Sequence, residues 1–480
     1  MTTAQTSSTS PGASNRLSGQ LGTAGVVFMV VAAAAPLTVV SGNVPLAIGL
    51  GNGAAAPLGF VFASLVLLLF SVGFVAMTPY VKQAGAFFTY VGTGLGARAG
   101  QGTAFVALVT YTAIQLGIYG FLGWAVNDTV VSMGGPALPW WLYAGIALAA
   151  VAALGYRHIE LSSKVLAVAL ILEIGVVLIM NIAIVAEPSG SALASLAQPP
   201  SAAAEAGPFG IAVLFGVTGF IGFEATAVFR DEARDPDRTI PRATYLAVLI
   251  IGAFYTLSCW CLVHAWSADS VRQVANQYLS SGGNMVLDTA RFYTGHVLAD
   301  LMQILLLTSL VACVLSFHNI VARYQFVLAN FGILPRRFAA THARHGSPHV
   351  SSLFQTATAI VLVMLCAISG ASPLVGVFGS MAGIATVGIV MLMLLTSLAA
   401  AAFFFKASGS SMTTRWVPVV ATVLLAFILY LVLVNFTTVT GLGVGISTLL
   451  AIIPMAAFGL GFVAIKQTSL NKLAVLSTVD

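Results

Sequence analysis

Charged side chains are scarce in this sequence. Only 7% of its 480 residues are Asp, Glu, Lys or Arg, whereas a soluble globular protein carries roughly 25%. This shortage excludes an ordinary water-soluble globule. Because 59% of the residues are hydrophobic, the composition instead predicts a protein embedded in a lipid bilayer.

Residue arrangements that support catalysis or bind cofactors are also lacking. The sequence has no nucleophile paired with a base, no His/Asp/Glu cluster at metal-ligand spacing and no phosphate-binding loop. The four cysteines all lie in apolar runs, where thiols usually act as small buried hydrophobes. We therefore expect no disulfide, no metal and no cofactor, and we predict that the chain is not an enzyme and does not hydrolyse ATP.

What the sequence does contain is a series of long apolar runs. Several of them approach or exceed the ~20 residues that a helix needs to cross a hydrocarbon core. The sequence therefore predicts an all-α integral membrane protein with about twelve transmembrane helices. The predicted spans are 22–50, 54–78, 103–128, 138–156, 161–186, 208–229, 243–266, 298–329, 351–370, 373–405, 417–436 and 441–465.

The basic residues predict the orientation of these spans. Of the 19 Lys and Arg, all except Arg272 and Arg291 lie on the inner side if both termini are cytoplasmic, which agrees with the positive charge of cytoplasmic loops. Their spread over several loops, without interleaved aromatic residues, argues against a nucleic acid partner. We therefore predict a multi-pass protein of the cytoplasmic membrane, with residues 1–20 as a disordered cytoplasmic tail and 467–480 as a second tail.

The first and sixth predicted spans both contain residues that weaken a helix. The first would be ~44 Å long against a ~30 Å core, and Pro36 disfavours helical geometry within it. Gly216, Gly219 and Gly222 weaken the sixth. Such residues are also common where membrane helices merely pack closely. Their pairing five spans apart favours a carrier with two inverted repeats. The repeats would be 21–186 (spans one to five) and 187–405 (spans six to ten), followed by spans eleven and twelve in 406–466.

Three stretches after the fifth span carry a resemblance to a known family. The sequence Phe220-Ile-Gly-Phe-Glu224, followed by 232–236 and 239–243, resembles the amino acid, polyamine and organocation (APC) permease superfamily. Residues 77–90 and 332–335 are similar to further motifs of that family, and the resemblance covers roughly 20–465. It implies a leucine-transporter-type fold of five plus five spans, with spans one and six broken, a substrate held between the two breaks, and alternating access.

The resemblance also assigns residues to the substrate site. Amides near the first break would bind the substrate carboxylate, carbonyls near the second would accept from its amine, and Phe220 would act as an aromatic lid. Where the family usually has a Gly-Ser-Gly-like stretch, this chain has 33–37 with Pro36, which lacks an amide and leaves room for amines or other solutes. The implied site residues are Ala34, Ala35, Pro36, Leu37, Thr38, Thr218, Gly219, Phe220, Ile221 and Gly222.

Glu173, Glu224, His264 and His318 lie within predicted spans, where buried ionisable groups are costly and often functional. Glu173 lies in the middle of span five, at a position that resembles one where proton-coupled relatives carry lysine. It would take up and release a proton during transport, or else act as a structural hydrogen-bonding group. Glu224 follows the sixth-span glycines and would hold that half-helix or couple to a gate. His318 would face either a cation-type site or simply other helices, and a lone histidine in a bundle is typically a packing residue. His264 is typical of an interfacial residue.

Taken together, these features predict a secondary transporter of amino acids or related small amines, driven by proton-coupled uptake. An exchanger of amino acids or amines is the first alternative. A nontransporting solute sensor is the second, although the short polar termini offer no signalling domain.

Overall fold

The computed structural model of the protein describes residues 22–81, 87–157, 163–187, 207–228, 233–342 and 347–463. Within these ranges the regular elements are helical. The α-helices are α1 (Thr23–Ala33), α2 (Pro36–Gly49), α3 (Ala56–Met77), α4 (Phe87–Leu95), α5 (Ala97–Ser132), α6 (Trp140–Tyr156), α7 (Ser163–Ala186), α8 (Phe209–Thr218), α9 (Ala225–Val228), α10 (Pro236–Ala265), α11 (Val271–Ser281), α12 (Met285–Thr294), α13 (His296–Asn330), α14 (His349–Ile368), α15 (Ser380–Lys406), α16 (Met412–Val434), α17 (Phe436–Thr440) and α18 (Val444–Val463).

The helices overlap the predicted spans in the same order along the chain. Within the described ranges, nine helical segments are long and apolar enough to cross a membrane, and α1 with α2 forms a bent pair that passes the same test. The two shorter apolar helices, α6 and α8, lie at the predicted fourth and sixth spans. The prediction of an all-helical membrane protein is confirmed, whereas the orientation of its termini stays a prediction.

Exposed apolar side chains identify the helices that face lipid. Ile146 of α6, Ile368 of α14 and Leu449 of α18 are all more than half exposed. So many exposed hydrophobic residues would promote aggregation in water, but they suit an outer surface that contacts acyl chains. These helices therefore lie at the outer surface, around an inner group of more completely buried helices.

The inner group is organised around α2 and two very long helices. All 14 residues of α2 are buried, and α2 packs against α7, α8, α10, α11 and α13. The long helices are α5, with 36 residues, and α13, with 35. These two long helices pack against each other. The start of α2 is thereby placed among helices from distant parts of the chain, where the predicted site lies.

Candidate functional site

The first predicted span is interrupted where the sequence contains Pro36. Helix α1 ends at Ala33, α2 begins at Pro36, and the two are bent by 45°. Proline fits this first helical position because its missing N–H would have no partner there. Ala35 has φ of 45°, in the left-handed region that a residue with a Cβ rarely adopts.

An interruption leaves backbone groups without their usual helical partners. One of them is the carbonyl oxygen of Ala34, which accepts a hydrogen bond from the Tyr255 hydroxyl at 3.0 Å. Tyr255 belongs to α10, so this bond fixes the end of α1 to a helix more than 200 residues further along the chain. The bend between α1 and α2 is therefore held by tertiary contacts as well as by Pro36.

The sixth predicted span is interrupted in a different way. Helix α8 ends at Thr218, and a series of turns leads to the short helix α9. Gly222 has φ of 111°, which glycine adopts without strain. A Cβ placed on Gly222 would lie 3.5 Å from the carbonyl oxygen of Ala33. The two interruptions therefore adjoin, and residues on either side of them share one region.

A buried carboxyl group binds the start of α2. Glu173 of α7 is only 5% exposed, and it accepts hydrogen bonds from the Leu37 N–H and from the Ser309 hydroxyl, the latter at 3.0 Å. The Thr38 hydroxyl donates to the Ser309 oxygen at 3.2 Å. Carboxylates are stabilised at helix N-termini by free amides and by the helix dipole. Glu173 thus links three helices, α2, α7 and α13.

A second buried carboxyl group binds the other interruption. One oxygen of Glu224 accepts from the Gly222 N–H at 2.9 Å, and the other accepts from the hydroxyl of Tyr111 on α5. Glu224 is itself 4% exposed. Each interruption therefore has a backbone amide bound by an acidic side chain of the protein.

The other predicted site residues lie in the same region with varied surroundings. The ring of Phe220 is buried and meets Tyr255 edge to face, with centroids 6.1 Å apart. The Thr218 hydroxyl donates to the Leu214 carbonyl and contacts the hydroxyl of Thr386. Gly219 and Ile221 are buried in the turns that follow α8. The substrate-binding and gating roles of these residues stay predictions.

The two histidines of the predicted spans, His318 and His264, have different surroundings. His318 is buried, with its Nε2 atom 2.9 Å from the Ser352 hydroxyl and its Nδ1 atom 3.4 Å from the Gln115 amide nitrogen. Gln115 in turn accepts from Gln355 at 2.7 Å. His264 stacks on Trp260. His318 therefore belongs to a polar network between α5, α13 and α14, which fits the packing role predicted for it.

Sequence reasoning missed three hydroxyl groups of the site. Ser309, Tyr255 and Tyr111 supply bonds to Glu173, Ala34 and Glu224, yet each is an unremarkable residue in an apolar helix. Buried polar groups need partners, so the intramembrane carboxyls were a signal that such donors exist. Nothing in the sequence indicates which hydroxyls they are.

This geometry agrees with the result of comparison with known proteins. A family model described as amino acid permease matches residues 25–474. The chain belongs to the amino acid permease family. The predicted superfamily is thereby confirmed, and the relatives described below are named as transporters and not as enzymes.

Several individual proteins are similar to this permease over part of their length. They include the serine/threonine exchanger SteT of Bacillus subtilis (strain 168), 26% identical over 33% of this chain and 35% of its own. The lysine-specific permease LysP of Escherichia coli (strain K12) is 23% identical over 66% of this chain and 65% of its own. The low-affinity putrescine importer PlaP of the same strain is 22% identical over 70% of this chain and 73% of its own. The permease thus spans less than two thirds of the first two relatives.

Proposed function

We propose that this permease is a secondary active transporter that imports amino acids or related small amines together with protons, by alternating access. The names of its relatives support this class of solute, since they include a lysine-specific permease and a putrescine importer. The absence of a nucleotide-binding motif from the sequence agrees with transport driven by a gradient.

The proposed architecture is the five-plus-five inverted repeat. In it, α1 with α2 is the broken first span, and α8, the following turns and α9 form the broken sixth span. Their spacing along the chain supports this arrangement, and so does the position of Gly222, where an added Cβ would lie 3.5 Å from the Ala33 carbonyl oxygen. The solute would bind between residues 34–38 and 218–222, where an interrupted backbone offers polar groups within the membrane.

One observation carries the proposed proton coupling. The Glu173 carboxyl joins α7 to the start of α2 and to Ser309 of α13. When the carboxyl takes up a proton it loses its negative charge, so its bonds to the Leu37 amide and the Ser309 hydroxyl weaken. A proton at Glu173 would therefore loosen the connection between the interrupted span and its neighbours, and this change in packing would accompany the switch in access.

Uptake by the purified permease in sealed liposomes tests this function. The assay offers labelled amino acids and amines with and without an inward proton gradient. We expect gradient-driven accumulation by the wild type and its loss in Glu173→Gln, which keeps the shape of the side chain but cannot exchange a proton. The matched control is Glu187→Gln, because Glu187 is exposed just after the end of the same helix.

Different outcomes would separate the alternatives. Uptake that ignores the gradient and requires preloaded solute would identify an exchanger and leave Glu173 a structural role. Gradient-driven uptake that persists in Glu173→Gln would remove Glu173 from the coupling mechanism. Solute binding without any net movement would identify a sensor.

A further inference from the structure

We propose that the preferred solute of this permease is an organic amine without a carboxylate. At each interruption, a backbone amide that a solute carboxylate could bind is already bound by an acid of the protein, Leu37 by Glu173 and Gly222 by Glu224. The inference rests on the proposed function and its site, and it narrows the solute from amino acids and amines to amines alone.

The start of α2 is the first place where a solute carboxylate would bind. Backbone N–H groups in the first turn of a helix point at an anion and carry the positive end of the helix dipole. Pro36 has no N–H, and the N–H of Leu37 donates to Glu173. The Thr38 hydroxyl donates to Ser309, which itself donates to Glu173. A solute carboxylate would have to displace Glu173 from these donors.

The turn after α8 is the second such place, and it is also occupied. The N–H of Gly222 donates to Glu224 at 2.9 Å, and the hydroxyl of Tyr111 donates to the same carboxyl group. Because Glu224 follows Gly222 by two residues, its carboxyl group closes the turn locally. An external carboxylate placed there would also have to compete with the Glu224 oxygens for these two donors.

The charge of the surrounding residues points to the same class of solute. Among the side chains that the structure describes, the buried acidic and basic groups are Glu173, Glu224 and His318, with no lysine or arginine. His318 is engaged by Ser352 and Gln115. A carboxylate in this region would lack a positive partner, which is costly away from water. An ammonium group would instead find hydrogen-bond acceptors in two carboxyl groups, and its positive charge would favour their ionised form.

Matched pairs of solutes that differ only in the carboxylate test the inference in the wild type. The pairs are cadaverine with lysine and isoamylamine with leucine, each offered to the permease in liposomes. We expect kcat/KM to be at least ~10-fold higher for the amine, because the amino acid must bury a carboxylate without a free donor or a positive partner. Equal or better transport of the amino acid would overturn the inference and leave the proposed function standing. Uptake of neither member of any pair would overturn both.

Variants of Glu173 test the cause of the preference. Glu173→Ala frees the Leu37 amide, so the ratio of amine to amino acid affinity, measured by equilibrium binding to the purified protein, should fall at least ~10-fold. Glu187→Ala changes an exposed residue just after the end of the same helix, so it should leave this affinity ratio unchanged. An unchanged ratio in folded Glu173→Ala would overturn the inference.

If Glu173→Ala does not purify as a folded protein, Glu173→Gln provides a second test. It is close in size to the native side chain, but it cannot carry a negative charge and it replaces one acceptor oxygen by an NH2 donor. The ratio should therefore fall in the same direction. A ratio equal to that of the wild type in this variant would also count against the inference.

Discussion

Replacing Gly222 by alanine would place a Cβ at the turn that follows α8. The substitution isolates a backbone effect, because the new Cβ would lie 3.5 Å from its nearest atom, which is ordinary van der Waals contact. Its cost comes instead from φ of 111°, which an L-residue rarely adopts. Strain of this kind costs about 1–3 kcal/mol. If the turn relaxes and the Gly222 bond to Glu224 breaks, a further ~1.5–3 kcal/mol is lost.

The buried thiols of the permease provide the assay. Cys259, Cys261 and Cys313 are free and buried, so a thiol-reactive fluorophore reports unfolding of the purified protein as temperature rises. We expect Gly222→Ala to unfold at a lower temperature than the wild type. The matched control is Gly145→Ala in α6, where nothing lies within 4 Å of the added Cβ. That change should be neutral or slightly stabilising, because alanine favours helix over glycine.

Two results would refute the reasoning about Gly222. Unfolding of Gly222→Ala at the wild-type temperature would show that the turn tolerates a Cβ at this φ. A fall of the same size in Gly145→Ala would show that glycine replacement destabilises the permease regardless of backbone conformation.

Two other substitutions can be checked with the same unfolding assay. Tyr255→Phe keeps the ring contacts with Phe60 and Phe220 but leaves the Ala34 carbonyl without its hydroxyl donor. It should destabilise the protein by about 1–3 kcal/mol, and an unchanged unfolding temperature would show that another group satisfies that carbonyl. Gly155→Ala would bring a Cβ to 2.6 Å from the His318 ring, so it should destabilise by about 1–3 kcal/mol through overpacking. A wild-type unfolding temperature in that variant would mean that the ring can shift at no cost.

The helical spans, the two interruptions and the burial of two carboxyl groups could be predicted from local sequence. Apolar runs identify spans because lipid requires apolar side chains wherever a helix crosses it. Pro36 indicated the interruption between α1 and α2, since proline acts on the backbone of its immediate neighbours. Likewise, Gly222 marks a turn because only glycine adopts its φ freely. The burial of Glu173 and Glu224 followed from their position inside apolar runs.

The tertiary structure alone decided which groups those residues contact. Ser309 lies 136 residues from Glu173, and Tyr255 lies 221 residues from Ala34. Such pairs depend on how α7, α10 and α13 pack around the interrupted first span, and a serine or tyrosine in an apolar helix carries no local sign of its partner. The occupation of the Leu37 amide by Glu173 is of the same kind. Sequence therefore determined where the backbone is interrupted, because that effect is local, and packing determined what fills the interruption, because that effect joins distant parts of the chain.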